Sequence, residues 1–518
     1  MLSHVWSSAV HGVDALPIEI ETHIEPNLPR WTVVGLPDGA VRESRDRVWA
    51  ALKNSGLPVP RGAVTVNLAP ADVRKEGSAF DLPIALGLLA ATTEQIPQAT
   101  LDDLFVCGEL SLDGSLRPVR GVLPMAVRAR QEGRRGLVVP EANAAEAAVV
   151  DGLDVFPVRT LGAAFRVLAQ DLDRTAPFTR DLDALFDAAG QHTVDFADVR
   201  GQETVKRALE VAAAGGHNVV LVGPPGAGKT MLARRVPTIL PPLTADEALE
   251  TTKIHSVGGH LARSGHARHG LIAARPFRAP HHSISNAGLC GGGSNPMPGE
   301  ISLAHNGVLF LDELPEFDRA VLEVLRQPLE EGQITISRAR ATVDYPARFM
   351  LVASLNPCPC GYHNHPSRNC SCNPGQVQRY LARVSGPLMD RIDLHVEVVP
   401  VPFDDLNRRA PGEASASVRE RVVVARQRQA ARFAEVPGVH ANAQMPSRLV
   451  RQHCQLDDAG QALLKMAMLR LGLSARAYDR ILKVSRTIAD LDGSDAVTAA
   501  HVSEAIQYRS LDRSWWNG

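Results

Sequence analysis

One eight-residue string constrains this chain more than anything else in it. Gly223-Pro-Pro-Gly-Ala-Gly-Lys-Thr230 follows the apolar run Val219-Val-Leu-Val222 and precedes the helix-forming Met231-Leu-Ala-Arg-Arg235. A strand, a glycine-rich turn ending in Lys-Thr and a helix together define a phosphate-binding loop. The glycines let successive backbone N–H groups and the helix N-terminus face phosphate oxygens; the lysine neutralises β/γ charge and the threonine ligates magnesium. Gly223, Pro224, Pro225, Gly226, Ala227, Gly228, Lys229 and Thr230 are therefore expected to bind ATP with Mg²⁺ in an α/β domain with a parallel sheet. The alternative is a plain glycine turn before a helix.

Three further strings fit around that loop. Val308-Leu-Phe-Leu-Asp312-Glu313 ends an apolar strand in two adjacent carboxylates, a Walker B pattern. Asp312 is expected to hold magnesium through water, and Glu313, past the strand end, to polarise the attacking water. Phe349-Met-Leu-Val-Ala-Ser-Leu-Asn356 ends in an amide placed to sense the γ-phosphate, although Asn356 would equally cap a turn before Pro357. Arg391, in Met389-Asp-Arg-Ile-Asp393, is the candidate arginine finger for a neighbouring subunit's ATP, a group worth about 10³ to 10⁵ in rate. Its competing reading is a local ion pair with Asp390 or Asp393. Arg476 opens a C-terminal helix where a cation would report nucleotide state, with Arg480 one turn later as the rival.

Length decides the domain count: 518 residues exceed what one core supports, so two or three domains are expected. Residues 1–168 alternate β-rich runs (Ile18 to Ile24, Trp31 to Val34, Ala63 to Leu68, Gly136 to Val139) with Ala/Leu-rich helical stretches. Residues 169–196 are acidic and lack periodicity, reading as a linker with at most one short helix. Residues 197–400 carry the nucleotide strings, and 401–518 turn Arg- and Ala-rich with helical spacing, notably Gln461 to Leu471 and Ser474 to Leu491. A net charge of −2 gives no bulk pull toward nucleic acid or acidic lipid, so such a partner must meet a local patch. The N-terminus lacks a basic region before an apolar run, and no stretch approaches a membrane span, so a cytoplasmic protein is expected.

Seven cysteines are too few for a disulfide scaffold, and four of them crowd together. Cys358, Cys360, Cys370 and Cys372 form C-x-C-x₉-C-x-C, able to bring four thiolates around tetrahedral Zn²⁺, with His363 and His365 as substitutes or supports. Reduced thiols or redox pairing are the other readings.

Longer strings carry a family likeness: Arg275-Pro-Phe-Arg-Ala-Pro-His-His282, Gly291 to Gly307, Asn356-Pro-Cys-Pro-Cys-Gly361 and Gly386-Pro-Leu-Met-Asp-Arg-Ile-Asp-Leu-His395. Nearly end to end, the chain resembles the ComM/YifB-type, magnesium-chelatase-like AAA+ ATPases. The resemblance implies a P-loop AAA+ core flanked by an N-terminal Lon-protease-like domain and a C-terminal helical lid, assembled as a ring-forming homo-hexamer. For the ComM branch it implies an ATP-driven DNA helicase that migrates branches during recombination in natural transformation, with single-stranded or branched DNA as its partner; a chelatase-like or protein-remodelling motor acting with partner subunits is the alternative. In related helicases a hairpin points into the central pore, which would bring Arg338 and Arg340, at the basic tip of Gly332 to Tyr345, onto phosphates. A solvated hairpin tip is the other reading. His255 to His282 is a second candidate pore segment. Proteolysis is not expected: the protease's nucleophile position falls on Ala79 and its lysine position near Leu123, leaving no activated nucleophile, with Ser78 one residue away.

Overall fold

The computed structural model describes residues 1–518 except 171, 183, 187–189, 191, 262–269, 294–295, 339–340, 364, 366–367, 402–411 and 512–518. An N-terminal mixed sheet uses β1 (Leu2–His11), β2 (Asp14–Glu25), β3 (Arg30–Val34), β4 (Ala63–Ala69), β5 (Leu104–Val106), β6 (Gly136–Pro140) and β7 (Asp154–Val158), in the order β3-β4-β2-β1-β5-β6-β7. The antiparallel β1–β2 hairpin and β2–β4 pair give way to parallel pairing from β5 outward. Its core is the nearly all-apolar helix Asp81–Thr93 laid against β1 and β2, with Leu82, Ile84, Leu86, Leu88 and Leu89 fully buried.

The second sheet positions the site. Its strands are β8 (Val219–Val222), β9 (Phe277–Arg278), β10 (Val308–Leu311), β13 (Met350–Leu355) and β14 (Leu394–Glu397), ordered β9-β10-β13-β8-β14 and all parallel. The hairpin β11 (Gln333–Arg338) and β12 (Ala341–Pro346) lies between β10 and β13 in the chain but outside this sheet. Continuous apolar runs such as Val-Val-Leu-Val and Met-Leu-Val-Ala-Ser-Leu suit strands buried on both faces, and β8, β10 and β13 are buried throughout. Because the strands are parallel, all their carboxyl ends lie on one side, where a ligand crevice of an open α/β sheet forms.

The C-terminal helices Ser415–Arg432, Ser447–His453, Asp458–Leu471, Ala475–Leu491 and Ala499–Gln507 pack on one face of this sheet domain. Val418, Val422, Ile481, Val484 and Ile488 share a core with Val219, Leu221 and Leu209. Among the described residues no helix is long and apolar enough to cross a membrane.

A buried polar knot joins the helical region to the sheet. Asp393, 2 % exposed at the start of β14, accepts from the Asn218 backbone N–H at 2.9 Å, pairs with Arg480 and faces His217 at 3.6 Å. Burial alone would raise its carboxyl, but Arg480 and then His217 outweigh it and hold the group far below the usual carboxylate range. The folded value lies below the unfolded one, so the contribution is complete above about pH 4 and is lost as pH falls further. Asp393→Ala is expected to destabilise the fold by about 3 to 5 kcal/mol at pH 7 by stranding Arg480. Denaturant unfolding checks this, and the gap between variant and wild type should narrow below pH 4.

Candidate nucleotide site

Gly223 leaves β8 by passing under the backbone carbonyl of Val398, where any Cβ would collide. Its N–H donates to the Leu355 carbonyl at 3.2 Å, which ties the loop to the end of β13. The helix Lys229–Ile239 then begins at the loop's lysine. Lys229 is 8 % exposed, and its Nζ donates to the carbonyls of Gly223 (2.7 Å) and Pro224 (3.0 Å) and to Asn356 Oδ1 (3.0 Å). Burial lowers the ammonium's pKa, while Asp312 and Glu313 act in the opposite sense. Loop lysine and sensor amide thus meet across the junction of β8 and β13.

The carboxylate end is equally ordered. Asp312 ends β10 and accepts from Thr230 Oγ1 at 2.7 Å and, on its other oxygen, from Ser354 Oγ on β13. With its hydroxyl 2.7 Å from the Asp312 carboxylate, Thr230 would bind Mg²⁺ directly and Asp312 would hold the ion through water. Mg²⁺ would supply charge neutralisation there. Glu313 follows in the left-handed region at φ +54°, a conformation costing about 1 to 3 kcal/mol in a non-glycine residue. Its N–H donates to Asp312 Oδ1 (3.1 Å) and Ser354 Oγ (3.4 Å), which supports the turn and sends the half-exposed carboxylate beyond the strand. His282 Nδ1 lies 3.9 Å from Glu313 Oε2, with its ring edge-on to Phe317 and against His281.

Not every candidate residue joins this cluster. Arg391 is 5 % exposed and pairs with Glu330 at 2.5 Å while donating to the Pro387 carbonyl at 2.6 Å. Its partner is thus neither Asp390 nor Asp393. It lines a cavity of 890 Å³ with Asn286, Glu323, Glu330 and Arg338, on the hairpin side of the sheet domain. Arg476 is exposed in the first turn of Ala475–Leu491, whereas Arg480 is committed to Asp393. Arg338 is exposed at the end of β11; Arg340 lies outside the described residues. His255 is buried, its Nε2 3.0 Å from the Leu303 carbonyl, while 262–269 lie outside the described residues. In the N-terminal domain Leu123 is wholly buried, and Ser78 donates to Glu109.

Two contributors lie inside strings the sequence offered but were given no role at this site: Ser354, which orients Asp312, and His282, which faces Glu313. Ser354 was legible only as the one polar residue inside an apolar strand, two positions before Asn356.

Fold and site together define a P-loop ATPase of the AAA+ kind. Three family models cover the chain: subunit ChlI of Mg-chelatase over 20–143, magnesium chelatase subunit ChlI over 195–406 and its C-terminal part over 412–509. The chain is 47 % identical to YifB of Escherichia coli over 99 % of its own length and 98 % of the relative's. It is 45 % identical to the competence protein ComM of Haemophilus influenzae over 99 % and 98 % of the two chains. A partial likeness, 29 % identity over 28 % of this chain and 26 % of the other, links it to Lon protease 2 of Bacillus subtilis. The chain belongs to the ComM/YifB family of magnesium-chelatase-like AAA+ proteins.

Ser354→Ala is expected to leave ATP binding intact but raise the Mg²⁺ concentration for half-maximal hydrolysis by roughly tenfold or more, the usual consequence of freeing a metal-holding carboxylate. A magnesium titration of steady-state hydrolysis checks it.

Proposed function

We propose that this protein is a cytoplasmic ring-forming AAA+ motor, a homo-hexamer that couples ATP hydrolysis to DNA translocation and branch migration in recombination or natural transformation. The observation that carries the enzymatic part is the convergence of Lys229 with Asn356 and of Thr230 with Asp312 at the carboxyl ends of β8, β10 and β13. ATP with Mg²⁺ is the cofactor pair, and a zinc ion belongs to the four-cysteine cluster.

In this reading the loop N–H groups and Lys229 grip the β/γ-phosphates, and Asp312 with Thr230 holds the charge-neutralising cation. Glu313 takes the proton of the attacking water. Arg391, in its pair with Glu330, is reached by a neighbouring subunit's nucleotide only once that pair opens; Arg476 on the exposed helical start reads nucleotide state. Full-length similarity to a protein named for competence supports DNA as the track, and Arg338 at the exposed end of β11, with Arg340 two positions on in the sequence, supplies sequence-independent phosphate contacts.

The test is steady-state hydrolysis with and without branched or single-stranded DNA. Wild type should be stimulated several-fold, and Glu313→Gln should bind ATP and DNA together yet turn over at least a hundredfold more slowly, in keeping with the loss of a general base. Hydrolysis indifferent to every DNA form, but raised by a protein partner, would favour a remodelling motor instead.

A further inference from the structure

Residues 356–373 link β13 to the helix Pro374–Leu381, and no described residue among them lies in a helix or strand. Yet this segment touches the phosphate-binding loop twice. Asn356 Oδ1 accepts from Lys229 Nζ at 3.0 Å. Five residues on, Gly361, at φ +84°, lays its backbone so close to the Pro225 ring that a Cβ would collide with it. A long irregular connection cannot hold two such contacts by backbone pairing, because fixing each residue costs about 1 to 2 kcal/mol of conformational entropy.

Between and beyond those contacts lie the four cysteines. Cys358 is fully buried, and the sulfur of every cysteine lies within 4.8 Å of the other three. The Cys358–Cys360, Cys360–Cys370 and Cys358–Cys370 Sγ separations are 3.3, 3.5 and 3.7 Å. Bonded sulfurs sit about 2.05 Å apart, whereas the edge of a tetrahedron with Zn–S of 2.3 Å is about 3.8 Å. The His363 N–H donates to Cys358 Sγ at 3.3 Å and the Cys372 N–H to Cys370 Sγ at 3.4 Å, so backbone donors fix two of the sulfurs in place. Four thiolates gathered this closely repel one another unless a cation sits among them.

We propose that Cys358, Cys360, Cys370 and Cys372 hold a structural zinc ion that staples this connection onto the phosphate-binding loop through Asn356 and Gly361, so that nucleotide affinity depends on the metal. The proposal rests on reading Gly223 to Thr230 as the nucleotide site. The ion takes no part in hydrolysis; it closes a loop whose two ends of contact, Lys229 and Pro225, belong to the nucleotide pocket. Metal binding and loop ordering are then one event, as in other small thiolate sites.

The experiment uses the purified full chain, with zinc measured by elemental analysis and nucleotide affinity by titration of a fluorescent ADP analogue. Wild type should carry about one zinc per chain. Cys370→Ser combined with Cys372→Ser should lose the zinc and weaken the analogue roughly tenfold, a coupling of ordinary size. Cys372→His, which keeps a zinc-competent ligand set, should retain both metal and affinity. Gly361→Ala should keep the zinc yet weaken the analogue, because it disturbs only the contact with Pro225. Wild type with far less than one zinc overturns the metal site. Zinc present but unchanged affinity in the serine pair and in Gly361→Ala overturns the coupling. Wild type that does not bind the analogue overturns the nucleotide site, and the proposal with it.

Discussion

The ammonium of Lys229, nearly sealed and resting on two loop carbonyls and Asn356, is the interaction on which the rest of this molecule depends. A buried cation surrounded by acceptors is stable only while those acceptors are held in place. That requirement fixes the depth of the loop between β8 and β13, the position of Asn356 at the end of β13 and the approach of Gly223 to Val398. When phosphate arrives, the lysine exchanges neutral partners for charged ones, a gain available only because burial has already removed its water.

The acidic half is built by the same logic from the opposite charge. Asp312 has each oxygen occupied by a hydroxyl, one from the helix after the loop and one from β13. Glu313 is left outside that grip, in a strained turn, with its carboxylate half-exposed. The two carboxylates are neighbours in sequence yet differ in role because one is saturated with donors and the other faces His282 across 3.9 Å. Behind both lies the Asp393 knot, which fastens β14 to the helical region through Arg480.

Much of this was legible in the sequence because it is local. A glycine loop after a strand, acids ending a strand and an amide ending the next are short patterns, and parallel pairing brings their ends together without further instruction. The helices predicted from Gln461 and Ser474 begin within a turn of where Asp458–Leu471 and Ala475–Leu491 do. The first strand was hidden because Ser3, Ser7 and Ser8 are buried among its apolar residues and blur the alternation. β7 was masked by Pro157, tolerated there because it is an edge strand. The Arg391–Glu330, Ser354–Asp312 and Gly361–Pro225 contacts join residues 61, 42 and 136 positions apart, so no local pattern could announce them.

The central claim, that one lysine organises a Mg·ATP pocket, is tested most directly by calorimetric titration of Mg·ATP into wild type and Lys229→Ala. Saturable binding in wild type and none at millimolar nucleotide in the variant, with unchanged thermal unfolding of the free proteins, is the predicted result. Equal affinity in the two would place the nucleotide elsewhere and contradict the account.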